Sequence, residues 1–364
     1  MANGDSRTRA RFAAHVAPPA RPRESRRDVA SAAFLAPEII RQLSPLDWLV
    51  DCWTVQAMHR TEAGVAVLML GRPDEAPAAV LKIALAPEAR RSLSTERAAL
   101  AAAQADERLA DWRRLLPGIL VDGELEGAAY MLGRALRGRK AASLIGARPT
   151  PERLHTLAAE TIRTLHERTA VPTVVTVATI ERWLADPVRL VGRAALACRG
   201  TAGRQALSRL MADIRASLVG RRLTVSRIHG DFWLGNVLVA DEGGRVTGIV
   251  DWDSAGRHEL PAIDLLHLFA HTRALVEHKE LGCVVRGLLE GEAWAPDELW
   301  LLQSSDPALH ADPAYARAAL LLSWLRHLTW NLAQSDKYLH SRLWLTRNIE
   351  PVLRLFERPS RRPR

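Results

Sequence analysis

Residues 229–236 read His229-Gly230-Asp231-Phe232-Trp233-Leu234-Gly235-Asn236, and residues 249–253 read Ile249-Val250-Asp251-Trp252-Asp253. Between them lie Val237-Leu238-Val239-Ala240, short and rich in β-formers, the turn signal Asp241-Glu242-Gly243-Gly244, and a second apolar run from Val246 to Val250. This order spells a β-hairpin with a four-residue loop. If Ala240 faces Arg245 across the turn, Asn236 faces Ile249, and Asp251 emerges at the same end of the hairpin as Asn236. Asp231 lies five residues before Asn236, in the loop that feeds the first strand.

Two carboxylates and an amide gathered at one end of a hairpin suit phosphoryl transfer from a nucleotide. That reaction needs a carboxylate to orient or deprotonate the attacking hydroxyl, oxygen ligands to hold Mg²⁺ on the phosphates, and a cation to steady the remaining charge. Mg²⁺ prefers carboxylate, amide and water oxygens. Asp231 suits the first role; Asn236 and Asp251 suit the second. Asp253, two residues on, would point the same way as Asp251 if the strand persists, which leaves it a supporting metal role. The competing reading is that Asp231 and Asn236 only cap a turn, as such residues often do. A lone His-Gly-Asp would carry little weight; joined to Asn236, a hairpin and Asp251, it forms a much rarer set.

These motifs resemble the catalytic loop and the second metal motif of the aminoglycoside phosphotransferase and choline kinase family, distant relatives of protein kinases. Pro261-Ala262-Ile263-Asp264-Leu265 is similar to that family's following structural motif. The resemblance implies an α+β, two-lobed protein-kinase-like fold, with a small β-rich N-lobe and a larger, mostly helical C-lobe. It implies Asp231 as catalytic base, Asn236 and Asp251 as Mg²⁺ ligands, and ATP or GTP as phosphate donor.

Upstream, the chain reads as a small sheet with one helix. Strands are expected from Val50 to His59, Val65 to Leu70, Ala78 to Ile83, Ile119 to Val121 and Ala128 to Leu132. Lys82 stands inside the third run, where an unpartnered Lys is rarely tolerated. It is an edge-strand Lys facing water, a salt-bridge Lys or a phosphate-binding Lys. The chain has only four lysines, Lys82, Lys140, Lys279 and Lys337, among 50 cationic residues, and a compact ammonium differs from a guanidinium. Ser92 to Leu116 reads as one helix ended by Pro117-Gly118, with Glu96 in its first turns. There an acid is favoured by the helix dipole alone; the resemblance implies instead that Glu96 orients Lys82 against the α- and β-phosphates. It also implies that the backbone near Met131 to Gly133 hydrogen-bonds the purine. The segment Met58 to Gly64 departs from kinase-like chains, since Gly64 is its only glycine.

Downstream, Thr150-Pro151 and Asp312-Pro313 read as helix starts. His267 and His271 stand four apart on an expected helix, a spacing that can hold a metal; without an intervening Glu or an obvious third ligand, a structural pair is the commoner reading. Glu290, Glu292, Asp297 and Glu298 make one region acidic, either a cleft for a cationic acceptor or a solvated loop. Trp233, Trp252, Trp294 and Trp300 could stack on a sugar or cage an amine, or simply be core residues.

The 364 residues, 48% hydrophobic, allow one large two-lobed domain or two ordinary ones. The organisation expected is a basic tail over residues 1–35, an N-lobe over 36–135, a C-lobe over 136–356 and a second tail over 357–364. Seven arginines fall within residues 1–28, a composition that cannot bury enough surface to fold. Such tails could touch nucleic acid; a solvated tail is the plainer reading, and no RNA-binding or helix-turn-helix pattern backs the other. No apolar run approaches the ~18–20 residues of a membrane helix, and no compact apolar signal follows the N-terminal charges. The isolated cysteines Cys52, Cys198 and Cys283 give no disulfide framework. A cytoplasmic enzyme is expected. Its partners would be a nucleoside triphosphate and a small hydroxyl acceptor: an aminoglycoside, amino sugar, sugar or amino alcohol. The alternative is a catalytically silent kinase-like protein that binds nucleotide or acts as a scaffold. Nothing in the sequence specifies an oligomeric state.

Overall fold

The computed structural model describes residues 35–41, 53–146, 150–240 and 243–357. The stretches expected as tails lie outside these, apart from Leu35 and Glu357. Cys52, the start of the strand expected from Val50 and the Asp241-Glu242 turn also lie outside them. Leu35 is no tail residue: it begins a helix over 35–41 whose Leu35, Ala36 and Ile39 are buried against the sheet.

Five antiparallel strands build the smaller part: β1 (Thr54–Arg60), β2 (Ala66–Gly71), β3 (Ala79–Ala84), β4 (Ile119–Leu125) and β5 (Ala128–Arg134), in the order β1-β2-β3-β5-β4. Alternation along β3 sends Leu81 and Ile83 into a core shared with Ile39, Leu68, Leu70 and Leu132. Lys82 projects from the opposite face. It stands across from Val67 on one side and Met131 on the other. A strand flanked on both sides is not an edge, so the water-facing reading of Lys82 falls.

The helix expected over 92–116 is not continuous. An α-helix runs over Pro87–Gln104, with Pro at its start. The backbone turns extended at Asp106, and two short tight turns follow over Glu107–Leu115, kinked at Ala110 (φ 42°), with the Asp106 side chain accepting from the Arg108 amide at 3.3 Å. The earlier start puts Glu96 well past the first turn. The helix dipole therefore does not explain it.

The larger part is mostly helical. Short strands β6 (Arg139–Lys140), β7 (Val171–Val174), β8 (Arg222–Ile228), β9 (Val237–Val239), β10 (Val246–Ile249) and β11 (Gly256–Glu259) form two three-stranded sheets, β10-β9-β6 and β11-β8-β7. Helix Pro151–Arg168 packs on β8 and β10, and helices Ala262–Val276 and Pro313–Gln334 pack against each other. The last starts where Asp312 accepts from the amides of Ala314 and Tyr315, at 3.0 and 3.1 Å. Phe269, Tyr315 and Trp324 are fully buried at the centre of this region. Among the described residues no helix is long and apolar enough to cross a membrane.

Two glycines let the parts approach closely. A Cβ on Gly248 would meet Leu136 Cδ1 at 2.5 Å, and Gly138 (φ +123°) lies against Val239 O and Thr247 Oγ1. The connection after β5 is thus pressed onto the β9–β10 hairpin.

Candidate active site

The hairpin forms as expected, with one change of register. Val237 pairs with Ile249, because a bulge between Val246 and Gly248 adds a residue to β10. Asn236 consequently meets Val250, whose amide donates to Asn236 O at 2.9 Å. Asp251 follows at once, in a left-handed conformation (φ 63°, ψ 62°) that Asp tolerates better than most residues. There the strand ends.

The loop before the hairpin is held from behind. Asp264, at the start of helix Ala262–Val276, is completely buried. Its Oδ2 accepts from His229 N at 2.9 Å and its Oδ1 from Gly230 N at 2.8 Å. His166 Nε2 lies 2.9 Å from Oδ2. Burial opposes this charge, but the His166 bond and its neighbours hold the Asp264 carboxyl below its ordinary range. His229 Nε2 lies 2.9 Å from Val250 O, while its Nδ1 accepts from Asp231 N at 3.3 Å. One imidazole thus ties the loop to the hairpin. Gly230 is required twice over: φ is +84°, and a Cβ would stand 2.1 Å from Ser254 O.

The loop presents Asp231. Its Oδ1 lies 3.0 Å from His267 Nε2, one turn after Asp264 on the same helix. Asn236 Nδ2 donates to Asp231 O at 2.9 Å and to Asp231 Oδ2 at 3.2 Å. Burial pushes the Asp231 pKa up, yet the His267 hydrogen bond, the largest opposing influence, leaves it well below the usual carboxylate range. It is an ionised, oriented acceptor.

Lys82 reaches the same region from the sheet. Its Nζ lies 2.7 Å from both carboxylate oxygens of Glu96 and 3.1 Å from Asp251 Oδ1. The Lys82 and Glu96 side chains are 12% and 5% exposed, that of Asp251 38%. Burial works against the ammonium, but Glu96 first and Asp251 next hold its pKa above the ordinary lysine value. Asp251 is held below the carboxylate range, against its own burial, chiefly by Lys82 and then Lys140. Lys140, on β6, and His59, on β1, both lie in electrostatic reach of this group; neither stood out in the sequence.

The donor set fits a hard divalent cation. Asp251 has a partly exposed carboxylate, and Asn236, with its Nδ2 committed to Asp231, keeps its amide oxygen as a ligand. Asp253 does not join them. Past Asp251 the chain turns into a short helix, Trp252–Ser254, and Asp253 Oδ2 accepts from Ser92 Oγ at 2.7 Å and Gln334 Nε2 at 3.2 Å. Burial, opposed by the Ser92 bond and reinforced by Glu96 and Asp251, pushes its pKa well above the carboxylate norm. It is a strut between helices rather than a ligand.

Three further expectations change. Met131 to Gly133 lie inside β5 with partners on both sides, so their amides serve the sheet. Backbone beyond the ladder begins at Leu136. Of the acidic residues 290–298, Glu298 is buried and paired with Arg273, Glu290 pairs with Arg286, and Asp297 lies 3.6 Å from His155. Glu292 is exposed. Of the four tryptophans, Trp252 is buried beside His229, Trp294 packs on Phe269 and Trp300 is exposed. Only Trp233 adjoins the site, its ring 4.4 Å from that of His271.

The model of the APH phosphotransferase enzyme family matches residues 67–300. Solved structures of similar fold include a thermostable mutant of aminoglycoside phosphotransferase APH(4)-Ia in ternary complex with ADP and hygromycin B, 16% identical over 87% of this chain and 97% of that one, with a TM-score of 0.55. A GDP complex of a mutant aminoglycoside 2'-phosphotransferase-IIIa is 15% identical over 88% of this chain and 96% of that one, TM-score 0.55. The streptomycin–ATP complex of APH(2'')-IIa is 13% identical over 87% and 95%, TM-score 0.52. No curated protein sequence matches. With the family match spanning more than half of its length, the chain belongs to the APH phosphotransferase enzyme family and has the two-lobed, protein-kinase-like α+β fold of those structures.

Proposed function

We propose that this protein is a small-molecule kinase that moves the γ-phosphate of ATP or GTP to a hydroxyl of an aminoglycoside, amino sugar, sugar or amino alcohol. The observation that carries the reading is a chain of contacts: Lys82, held by Glu96, reaches Asp251, which follows the hairpin residue that meets Asn236, and Asn236 in turn holds Asp231. A nucleotide would lie between a smaller lobe, residues 36–135, and a larger one, residues 136–356. Structures of the same fold hold ADP with hygromycin B and ATP with streptomycin, which supports a nucleotide donor and a hydroxyl-rich acceptor.

In this reading Lys82, kept charged and aimed by Glu96, binds the phosphates, with Lys140 as a second cation nearby. Asn236 and Asp251 would hold Mg²⁺, which when bound neutralises phosphate charge. Asp231 would accept a hydrogen bond from the acceptor hydroxyl and take its proton as the oxygen bonds to the γ-phosphorus and the bond to the β-phosphate oxygen breaks, releasing the nucleoside diphosphate. Its low pKa suits orientation of the hydroxyl more than early deprotonation, in keeping with the loose transition state of such transfers. Trp233 offers a face on which a sugar ring could lie. The compartment proposed is the cytoplasm, where the nucleotide is supplied.

The test is transfer from radiolabelled ATP and GTP with Mg²⁺ to a panel of aminoglycosides, amino sugars, neutral sugars and choline, beside Asp231→Ala. Acceptor-dependent transfer reduced about 10²–10⁴-fold in the variant is expected. Nucleotide binding without transfer to any member of a broad panel would favour a silent nucleotide-binding protein. A chain that binds no nucleotide would sink the reading.

A further inference from the structure

Three buried or half-buried histidines surround Asp231, and the phosphate-transfer reading uses only His267, to orient the carboxylate. His267 comes from helix Ala262–Val276, His327 from helix Pro313–Gln334, and the two helices pack against each other. One ligand-capable atom each of Asp231, His267 and His327 lies within 4.8 Å of the others, and the closest pair, His267 Nε2 and Asp231 Oδ1, is 3.0 Å apart. Asn331, one turn beyond His327, holds that ring with its amide nitrogen 3.1 Å from Nε2. His271, a turn after His267, has its ring centroid 5.4 Å from His267 and 6.2 Å from His327. Its Nδ1 is buried without a hydrogen-bond partner. A buried orphan of this kind asks for a water or an ion.

We propose that Asp231, His267 and His327 form a binding site for a zinc-class divalent cation, distinct from the oxygen-rich Mg²⁺ site at Asn236 and Asp251. Two imidazoles and one carboxylate are a ligand set for Zn²⁺ and its neighbours, with a fourth position open, whereas Mg²⁺ avoids imidazole. Tetrahedral ligands about 2.0–2.1 Å from zinc stand about 3.3 Å apart, against the separations of at most 4.8 Å found here. The cation would take Asp231 Oδ1, the oxygen facing His267, and leave Oδ2 with Asn236. A consequence, resting on the kinase reading, is that zinc occupies the base and blocks the acceptor hydroxyl.

The binding test needs no turnover. The full-length protein, stripped with a chelator and kept in excess Mg²⁺, is titrated with Zn²⁺ against a chromophoric chelator. His267→Gln, His327→Gln and the surface control His310→Gln are run alongside, with thermal melts to confirm folding. One tightly held Zn²⁺ per chain is expected. Because removing even an outer-shell partner costs about 10–100-fold in metal affinity, each ligand variant should lose more than about 100-fold, and the control nothing. Co²⁺ added to the wild type should give the visible spectrum of a four- or five-coordinate ion, lost in His327→Gln. Zinc held no better than by free surface histidines, or held undiminished in either ligand variant, overturns the site. If transfer is found, Zn²⁺ should inhibit competitively with acceptor and not with nucleotide. Inhibition that competes with nucleotide instead overturns the blocking role while the titration still decides the site.

Discussion

Lys82 and Glu96 meet head on, the ammonium 2.7 Å from each carboxylate oxygen, with both side chains almost wholly buried. Removing one member of such a pair leaves the other charge uncompensated. Lys82→Met should therefore abolish phosphate positioning, lowering kcat by about 10²–10³-fold. Glu96→Gln should raise the KM for nucleotide while Asp251 keeps Lys82 nearby. Steady-state kinetics with the acceptor saturating separates the two. Wild-type values for both variants would remove this pair from the nucleotide site.

Asp264 touches no reactant in the proposed reaction yet accepts from two successive backbone amides of the loop. An Asn there has one acceptor oxygen for three donors and would turn an N–H toward an N–H. Asp264→Asn should destabilise the fold by roughly 3 kcal/mol, read as a lower thermal midpoint, with activity lost in step. Unchanged stability would show that the loop is fixed by His229 and the hairpin instead.

Gly230→Ala carries two penalties. The left-handed backbone costs about 1–3 kcal/mol for a residue with a side chain, and the new methyl collides with Ser254 O. The loop must shift, so the loss of kcat should exceed the loss of nucleotide affinity. An active, unshifted Gly230→Ala enzyme would show that the base tolerates displacement.

Asp253 sets a pH dependence. Its folded pKa lies above that of an unfolded Asp, about 3.9. The folded chain therefore holds this proton to higher pH than the unfolded chain does. The group's contribution to stability is full below about pH 4 and falls as pH rises until the folded carboxyl ionises. Asp253→Asn mimics the protonated form and should flatten that decline, leaving the variant relatively more stable at alkaline pH. Denaturant melts across pH would check it; parallel curves for the two proteins would mean Asp253 is ionised and paired.

The order of elements was readable because the informative residues are close in sequence: a hairpin of β-formers with Asp231, Asn236 and Asp251 at one end. Lys82 was conspicuous as a lone Lys in an apolar run. What escaped were relations across distance. His327 lies 60 residues from His267 in the sequence, and no local pattern links them to Asp231. The break at Asp106 follows an Ala-rich stretch whose propensity favours a continuous helix; Asp106 ends it by capping the next segment and by receiving Arg227 at 3.2 Å. Asp253 misled because strand alternation was extended two residues past the point where Asp251 turns left-handed. The acidic run at 290–298 stayed open between a cleft and a solvated loop because the sequence does not show that Glu298 is buried against Arg273, 25 residues earlier.

Helix Ala262–Val276 carries Asp264 in its first turn and His267 in the next, so a single rigid rod grips the loop at one point and the base at another. Segments Leu281–Leu289 and Pro296–Ser305 lean on the same rod. Any redesign there to admit a different acceptor would transmit its strain to the reacting carboxylate. Segment Asp336–His340 packs on helix Pro313–Gln334, and segment Arg342–Asn348 on segment Leu281–Leu289. In the proposed kinase, substitutions at those later segments would disturb Asp231 less than substitutions on the rod itself. The fold separates what must stay still from what is free to vary.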